Sequence, residues 1–464
     1  MVSIESSREQ WGSKIGFILA AAGGAIGLGN IWKFPYVMGQ NGGAAFIAVY
    51  LLCVLIIGLP ILIAEVLMGR TAQRNPVGTF KALTKNKMWR AVGGMGVVAG
   101  FVILSFYGVV AGWSFGYIIE AIKGSFFDYA TPSAAGEHFN ELTQNVYWIT
   151  GLLGLFMGLT MMIVYFGINK GIERGSKIMM PVLFVLLLIM MFKGLSLEGA
   201  EEGLEFLFIP NWSKLTGLSV LEALGHAFFT LSLGMGAMMT YGSYMSKKDN
   251  VITASAQIVA LDTLIALVAG VAILTAIFST GQNPAEGPGL IFHTLPIVFT
   301  KMTGGYIFSI IFFILLSLAA LTSSISLLEV VTSYFVDEKG MQRHKAVLLF
   351  GTVAFLCGVP SALSFNILSD TKIFGLNFFD LANFLASNIF LPLGGLFISI
   401  FVAYVWGFDK ALIELKKGAE EIFEKRFWEI KFWKIVIKYF CPVLIFLVLL
   451  HSIGVLTMII NLFQ

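Results

Sequence analysis

The sequence predicts an all-α polytopic membrane protein. About eleven transmembrane helices are expected, forming two five-helix inverted repeats with helices 1 and 6 interrupted. Two observations carry this. The 464-residue chain is 57% hydrophobic and only 12% charged, with a mean hydropathy of +0.86. Apolar runs of roughly 20 residues, the length that crosses a bilayer, recur from end to end. Second, two of these runs, about 205 residues apart, carry glycines and polar side chains in their middles. The first reads AAAGGAIGLGNIWKFP from Ala20 to Pro35, and the second reads HAFFTLSLGMGAMMTYGSY from His226 to Tyr244. Each interior glycine costs a helix about 1 kcal/mol relative to alanine. Small residues alone would suit close helix packing. Polar side chains at the same place in both runs point instead to two broken helices in corresponding positions of two repeats.

Expected spans lie near 13–37, 44–69, 89–122, 147–168, 174–193, 220–244, 251–281, 304–336, 345–363, 380–406 and 431–461. They divide the chain into an N-terminal segment (1–12), a first repeat (13–193), a loop (194–219), a second repeat (220–406), an amphipathic surface segment (407–430) and helix 11 (431–464). The stretch 282–301 is too long for a turn and reads as a cap-like or re-entrant element. Residues 409–435 alternate acids, bases and aromatics, which suits a helix lying on a membrane surface.

Charge sets the topology. Arg70, Arg74, Lys81, Lys85, Lys87 and Arg90 fall in one loop without an acid, whereas 193–220 is rich in glutamates. By the positive-inside rule the first loop and the N-terminus are cytoplasmic, and the second loop and Gln464 are external. No cleaved leader is read at the N-terminus. A net charge of +3 gives nucleic acid nothing to bind. Cys53, Cys357 and Cys441 lie within apolar runs and read as packing residues, not a disulfide framework.

A helix that unwinds inside a membrane exposes backbone that must line a cavity or bind something. Half-helix amide ends favour a carboxylate, and freed carbonyls favour a hard cation. Hydroxyl oxygens stand ready at Thr322 and Ser323 in LAALTSSISLLE. Asp262 sits alone in IVALDTLIALVAG, a position that costs at least about 2.5 kcal/mol unless the charge is used.

The strings GGAIGLGNIWKFPY, NGGAAF, FFTLSLGMGAMMTYGSY and LTSSIS resemble the neurotransmitter:sodium symporter family, especially its short bacterial amino-acid transporters. The likeness runs over essentially the whole chain. It implies the leucine-transporter-like fold in a cell (inner) membrane, and sodium-coupled symport of a neutral L-amino acid by alternating access. It implies two sodium ions. The first would be held by Ala25, Asn30, Thr230, Asp262 and the substrate carboxylate, the second by Gly23, Ile26, Ala319, Thr322 and Ser323. The substrate site would comprise Gly24, Ala25, Gly27, Leu28, Gly29, Ile103, Tyr107, Phe229, Thr230, Ser232, Met235, Ser323 and Leu327. Gly24 stands where the family's leucine transporter has asparagine, and adaptable Met235 where it has phenylalanine. Room and softness together predict a bulky hydrophobic or aromatic amino acid.

The resemblance also implies gates. Lys33 and Asp380 would close the outer side above Phe229 and Tyr107. The family usually has arginine at the first position, and lysine lacks its bidentate fork. Arg8, Trp11, Ser243, Tyr244 and Asp337 would close the inner side. Gly171 and Pro181 would bracket an unwinding of helix 5. Tyr50 matches a chloride-site position of animal relatives, but His226 and Ala266 depart from the pattern. Asp262 would supply the compensating charge, so no chloride requirement is expected. The remaining partners are the lipid bilayer and, at most, a second copy in a weak homodimer; a monomer serves as well.

Two other readings of the same fold are a sodium-independent or proton-coupled amino-acid exchanger, and an amino-acid sensor that does not transport. Thr322 and Ser323 argue against the first, and the retained gate residues against the second. An enzyme is not expected: the five histidines are scattered singly, and no nucleophile–base pair is evident.

Overall fold

Without water to pair backbone amides and carbonyls, a chain this apolar must cross lipid as helices. The computed structural model, which describes residues 8–129, 131–285, 287–425, 427–456 and 458, is built that way. Among the described residues, nine helices are long and apolar enough to span: Ala44–Ala72, Met88–Lys123, Val146–Tyr165, Ile168–Leu195, Val251–Ser279, Gly305–Lys339, Arg343–Leu363, Phe378–Val405 and Trp428–Ser452. A tenth is the bent pair Lys14–Ala25 and Gly29–Gln40, whose halves meet at 50°. The eleventh crossing consists of Gly217–Thr230 and Ala237–Gly242, too short singly to span, flanking a stretch without helical structure. In chain order these make eleven spans, of which the first and sixth are broken.

The sixth span breaks where its sequence leaves helical space. Ser232, Gly234 and Gly236 have φ of 53°, 85° and 76°. Gly234 has a second reason to be glycine: its position packs directly on the backbone of the tenth span, near the Leu391 carbonyl and the Gly395 amide. Gly394 answers from the other side, facing the backbone of Gly234. The third and eighth spans form the interior; 72% and 78% of their most apolar stretches are buried.

The basic loop after the second span holds a short helix, Pro76–Leu83, capped by the Asn75 side chain on the Gly78 amide. At the other end of the bundle, the stretch 282–301 forms the short helices Gly287–Leu290 and Thr294–Lys301. Phe292 from this element packs edge-on against Trp113 and Tyr117. It is a cap, as its length implied.

Three details differ from expectation. Residues 168–195 are helical throughout, so nothing between Gly171 and Pro181 is unwound in this state. Only the first turns are widened, at Ile168–Glu173. The surface segment is shorter than expected: Phe408–Lys416 and Glu420–Lys425 form it, while Phe427–Ile435 already belongs to the last span. Cys357 is exposed rather than packed, although all three cysteines are free thiols. The expected external C-terminus at Gln464 lies outside the described residues.

A β-carbon at Gly394 would come within 2.6 Å of the Gly234 carbonyl carbon. Gly394→Val is therefore expected to destabilise the fold by about 1–3 kcal/mol, read as a lowered thermal unfolding midpoint in detergent.

Candidate functional site

The break in the first span lies against the middle of the seventh and eighth spans. Three side chains converge there from different elements. Asn30, just past the break, donates from Nδ2 to Asp262 Oδ1 at 2.8 Å and to the Asp262 carbonyl at 3.2 Å. Its Oδ1 accepts from the Gly27 amide at 3.2 Å, holding the break's backbone to the same cluster. Thr230, the last helical residue before the sixth break, donates to Asp262 Oδ1 at 3.0 Å. Asp262 is fully buried, and its Oδ2 has no partner among the described residues. A buried carboxylate with a bare oxygen is costly. A bound cation would remove that cost.

A second set of oxygens lies between the first break and the eighth span. The Thr322 hydroxyl is 2.9 Å from the Ala319 carbonyl and 3.4 Å from that of Ile26. The Ser323 hydroxyl is 3.2 Å from the Ile26 carbonyl and 3.4 Å from that of Gly23. Three carbonyls and two hydroxyls thus meet without a carboxylate. Such a neutral, hard-oxygen set suits a monovalent cation. All residues expected at the two cation sites, apart from the Ala25 carbonyl, are tied into these two clusters by hydrogen bonds.

Between the clusters is a small cavity of about 30 Å³. It is lined by all thirteen residues expected at the substrate site, and by Leu391 of the tenth span. Sequence reasoning missed Leu391, because nothing in an apolar run marks which leucine faces inward. The Tyr107 hydroxyl accepts from the Leu28 amide at 3.3 Å, and the Ser232 hydroxyl donates to the Gly24 carbonyl at 2.9 Å. No ionisable side chain other than the Tyr107 phenol faces the cavity.

The glycines act differently from expectation. A β-carbon at Gly24 would meet Ser326 Cβ at 3.1 Å, so that position faces the eighth span and adds no room for a substrate side chain. Gly27 and Gly29 are the close approaches. A β-carbon at Gly27 would come 2.9 Å from the Tyr107 hydroxyl, and one at Gly29 would come 3.1 Å from the Phe229 ring. The cavity has space for only a few waters. Any larger occupant must push the walls outward, and Met235, between Gly234 and Gly236, is the wall best built to yield.

The two ends of the bundle differ. At the end that carries the N-terminal segment, the path is shut. Arg8 pairs with Asp337 and donates to the Ser243 hydroxyl at 2.8 Å, and its guanidinium lies 4.5 Å from the Tyr244 ring centroid. Trp11 donates from its indole to the Tyr241 carbonyl at 3.0 Å and from its backbone amide to the Tyr244 carbonyl at 3.1 Å. Tyr244 donates to Glu329 at 2.6 Å, and Arg343 pairs with Glu329 behind it. All five residues expected at this gate therefore meet.

At the opposite end a vestibule of about 360 Å³ stands open above Tyr107 and Phe229, which line both it and the inner cavity. Lys33 and Asp380 both line the vestibule but do not pair. Lys33 lies over the Phe229 ring instead, 4.9 Å from its centroid. The expected ion pair is therefore not made in this state.

Several structuring residues were not foreseen. Glu65 is fully buried and accepts from the Gly234 amide at 2.7 Å, fixing the sixth break from the second span. Glu329 and Arg343 complete the shut end. Glu173 accepts from the Gly12 amide at 2.6 Å and from the Ser13 hydroxyl at 2.9 Å, tying the N-terminal segment to the fifth span. Glu65 and Glu329 each interrupt an apolar stretch, and that was the available signal, whereas Glu173 lies among charged residues in NKGIERGSK and carried none.

The match to known proteins agrees with this architecture. The profile of the sodium:neurotransmitter symporter family covers residues 8–146 and 137–461. An uncharacterised sodium-dependent transporter of Bacillus subtilis, YhdH, is 40% identical over 98% of this chain and 99% of its own length. One from Haemophilus influenzae is 35% identical over 98% and 100%. A serotonin transporter of Drosophila melanogaster is 27% identical over 97% of this chain and 77% of its own. The crystal structure of MhsT in complex with L-phenylalanine superposes with a TM-score of 0.87, at 45% identity over 96% of this chain and all of that one. The fold is that of a membrane transporter with two interrupted helices. This chain belongs to the sodium:neurotransmitter symporter family, whose members use sodium.

Arg8→Ala removes one member of a coupled polar network and leaves Asp337 half-buried with one fewer partner. A loss of 1–2 kcal/mol from the shut end would raise amide exchange in residues 8–25 about 5- to 30-fold, measurable by hydrogen–deuterium exchange.

Proposed function

We propose that this protein carries a neutral, bulky hydrophobic or aromatic L-amino acid into the cell together with two sodium ions. The observation that carries this reading is the Asp262 cluster beside a cavity whose walls are apolar except for backbone, hydroxyls and Tyr107. An amino acid there would place its carboxylate at the break amides near Gly27 to Gly29 and the Tyr107 hydroxyl. Its ammonium would face the carbonyls near Ala25, Phe229 and Thr230 and the Ser232 hydroxyl. The side chain would displace Met235 toward the space between Ile103 and Leu327. L-Phenylalanine bound to a relative of 45% identity supports this substrate class.

The first ion would sit between the bare Asp262 oxygen, Asn30, Thr230, the Ala25 carbonyl and the substrate carboxylate. The second would replace the hydroxyl–carbonyl contacts of Thr322 and Ser323. Because the substrate completes the first ion's shell, each raises the other's affinity by the same factor. The open vestibule then faces the outside and the Arg8–Asp337 end the cytoplasm, consistent with the basic loop beside it. Phe229 and Tyr107 would close over the substrate, and the Arg8 network would open afterwards. Two cations moving down a potential of 100 mV release about 4.6 kcal/mol. Asp262 makes chloride unnecessary for charge balance.

Uptake of labelled phenylalanine, tryptophan and leucine into proteoliposomes is expected to need an inward sodium gradient and to survive replacement of chloride by gluconate. Asp262→Asn should reduce it at least about tenfold, the equivalent of ~1.4 kcal/mol of lost cation binding. Exchange without sodium-driven accumulation would instead indicate an exchanger, and binding without uptake a sensor.

A further inference from the structure

A second chamber of about 370 Å³ lies along the sixth span and adjoins the vestibule, with Lys33, Tyr36 and Phe229 lining both. It is as large as the vestibule and more than ten times the inner cavity. Phe229 and Leu391 line both this chamber and the inner cavity, so they form the wall between the two. Its lining is polar in a particular way. Lys33 and Glu222 both face it, yet among the described residues neither forms an ion pair with the other or with any third group. Among the described residues, Glu222 accepts one hydrogen bond, from Asn41 at 2.8 Å. His226 is 98% buried at its edge, and neither ring nitrogen has a partner among the described residues. Nδ1 of His451, from the last span, is likewise buried and unpartnered.

A buried imidazole with both nitrogens unsatisfied carries a desolvation cost of about 1–3 kcal/mol for each unmade hydrogen bond. An unpaired ammonium and an unpaired carboxylate facing one chamber are complementary to a molecule that bears both opposite charges. We infer that the chamber behind Phe229 and Leu391 is a second binding site for a small zwitterion. Its anionic group meets Lys33, its ammonium meets Glu222, and His226 and His451 supply hydrogen bonds. The site is walled from the inner cavity by Phe229 and Leu391, and it adjoins the vestibule, from which Glu222, His226 and His451 set it apart. A free amino acid has this chemistry, and so does the phosphoethanolamine head of a phospholipid, because the chamber is bounded by the last span at the edge of the bundle. An occupant bears on Phe229 and Leu391 from behind and so opposes outward movement of the substrate cavity's wall. It also holds Lys33 away from Asp380.

The test uses the full chain in nanodiscs, with Glu222→Gln and His451→Leu as variants outside the substrate and ion clusters. Glutamine keeps the acceptor for Asn41 and removes only the charge. In discs free of ethanolamine lipid, bound tritiated L-phenylalanine is counted at saturation in sodium. In discs containing phosphatidylethanolamine, retained lipid is counted by native mass spectrometry. The inference predicts that one of these ligands loses one equivalent per chain in both variants and keeps it in Asp380→Asn, which alters only the vestibule. Loss in the phenylalanine arm identifies the free amino acid, and loss in the lipid arm identifies the headgroup. Counts unchanged by Glu222→Gln and His451→Leu in both arms would overturn the proposal. So would an equivalent lost in Asp380→Asn alone, which would place the ligand in the vestibule. Phenylalanine uptake by the wild type is read separately, so failure of the substrate assignment would not be mistaken for failure of this site.

Discussion

The structure depends on backbone left bare in the middle of a membrane. Where the first span bends, between Ala25 and Gly29, the helical ladder is interrupted and its carbonyls and amides need partners. Asn30, Tyr107, Ser232, Thr322 and Ser323 supply some of them, from the first, third, sixth and eighth spans. The sixth span is interrupted at the same level, and Glu65 holds its Gly234 amide. What these side chains leave over is informative. One Asp262 oxygen stays bare among the described residues, and in the second oxygen set the Gly23 and Ile26 carbonyls are met by hydroxyls at 3.2–3.4 Å. Both features make room for cations without a preformed void.

The two ends of the molecule are held by different physics. The shut end is a network of charges and aromatic rings: Arg8, Asp337, Glu329, Arg343, Trp11 and Tyr244. Partly buried charge pairs hydrogen-bonded to neutral groups are strong when complete and costly when one member leaves. The network therefore behaves as a unit that is either made or broken. Across the mouth of the vestibule, Lys33 and Asp380 form no ion pair among the described residues. Lys33 rests on an aromatic face, an interaction of roughly 0.5–2 kcal/mol that thermal motion can exchange. An end closed by a cooperative network and an end closed by single contacts give two distinct states rather than a continuum.

Much of this was legible in the sequence because the signals were chemical oddities in apolar surroundings. Glycine clusters gave both breaks. Asp262, Thr322 and Ser323 stood out because lipid penalises them, and the structure draws them to the breaks. The gate at Arg8 and Asp337 was legible only through family likeness, since residues 329 positions apart share no local pattern. Leu391 was not legible at all, because the side a leucine faces is decided by packing. Gly24 misled for a related reason: a missing side chain shows that space is needed, but not on which side. Here the space is taken by Ser326. Helix 5 was read as unwound from a glycine and a proline, yet Pro181 is accommodated within a helix, as prolines in membrane helices often are.

The central claim is that substrate and cations share one site built from the first break. Its most direct test is the affinity for L-phenylalanine, measured by calorimetry across a range of sodium concentrations. The account predicts that log affinity rises with log sodium with a slope approaching two at low sodium. In Thr322→Val, which removes one oxygen of the second cluster, the slope should approach one. An affinity independent of sodium would show that amino acid and cation do not meet, and the coupling assigned to Asp262 and the broken helices would be wrong.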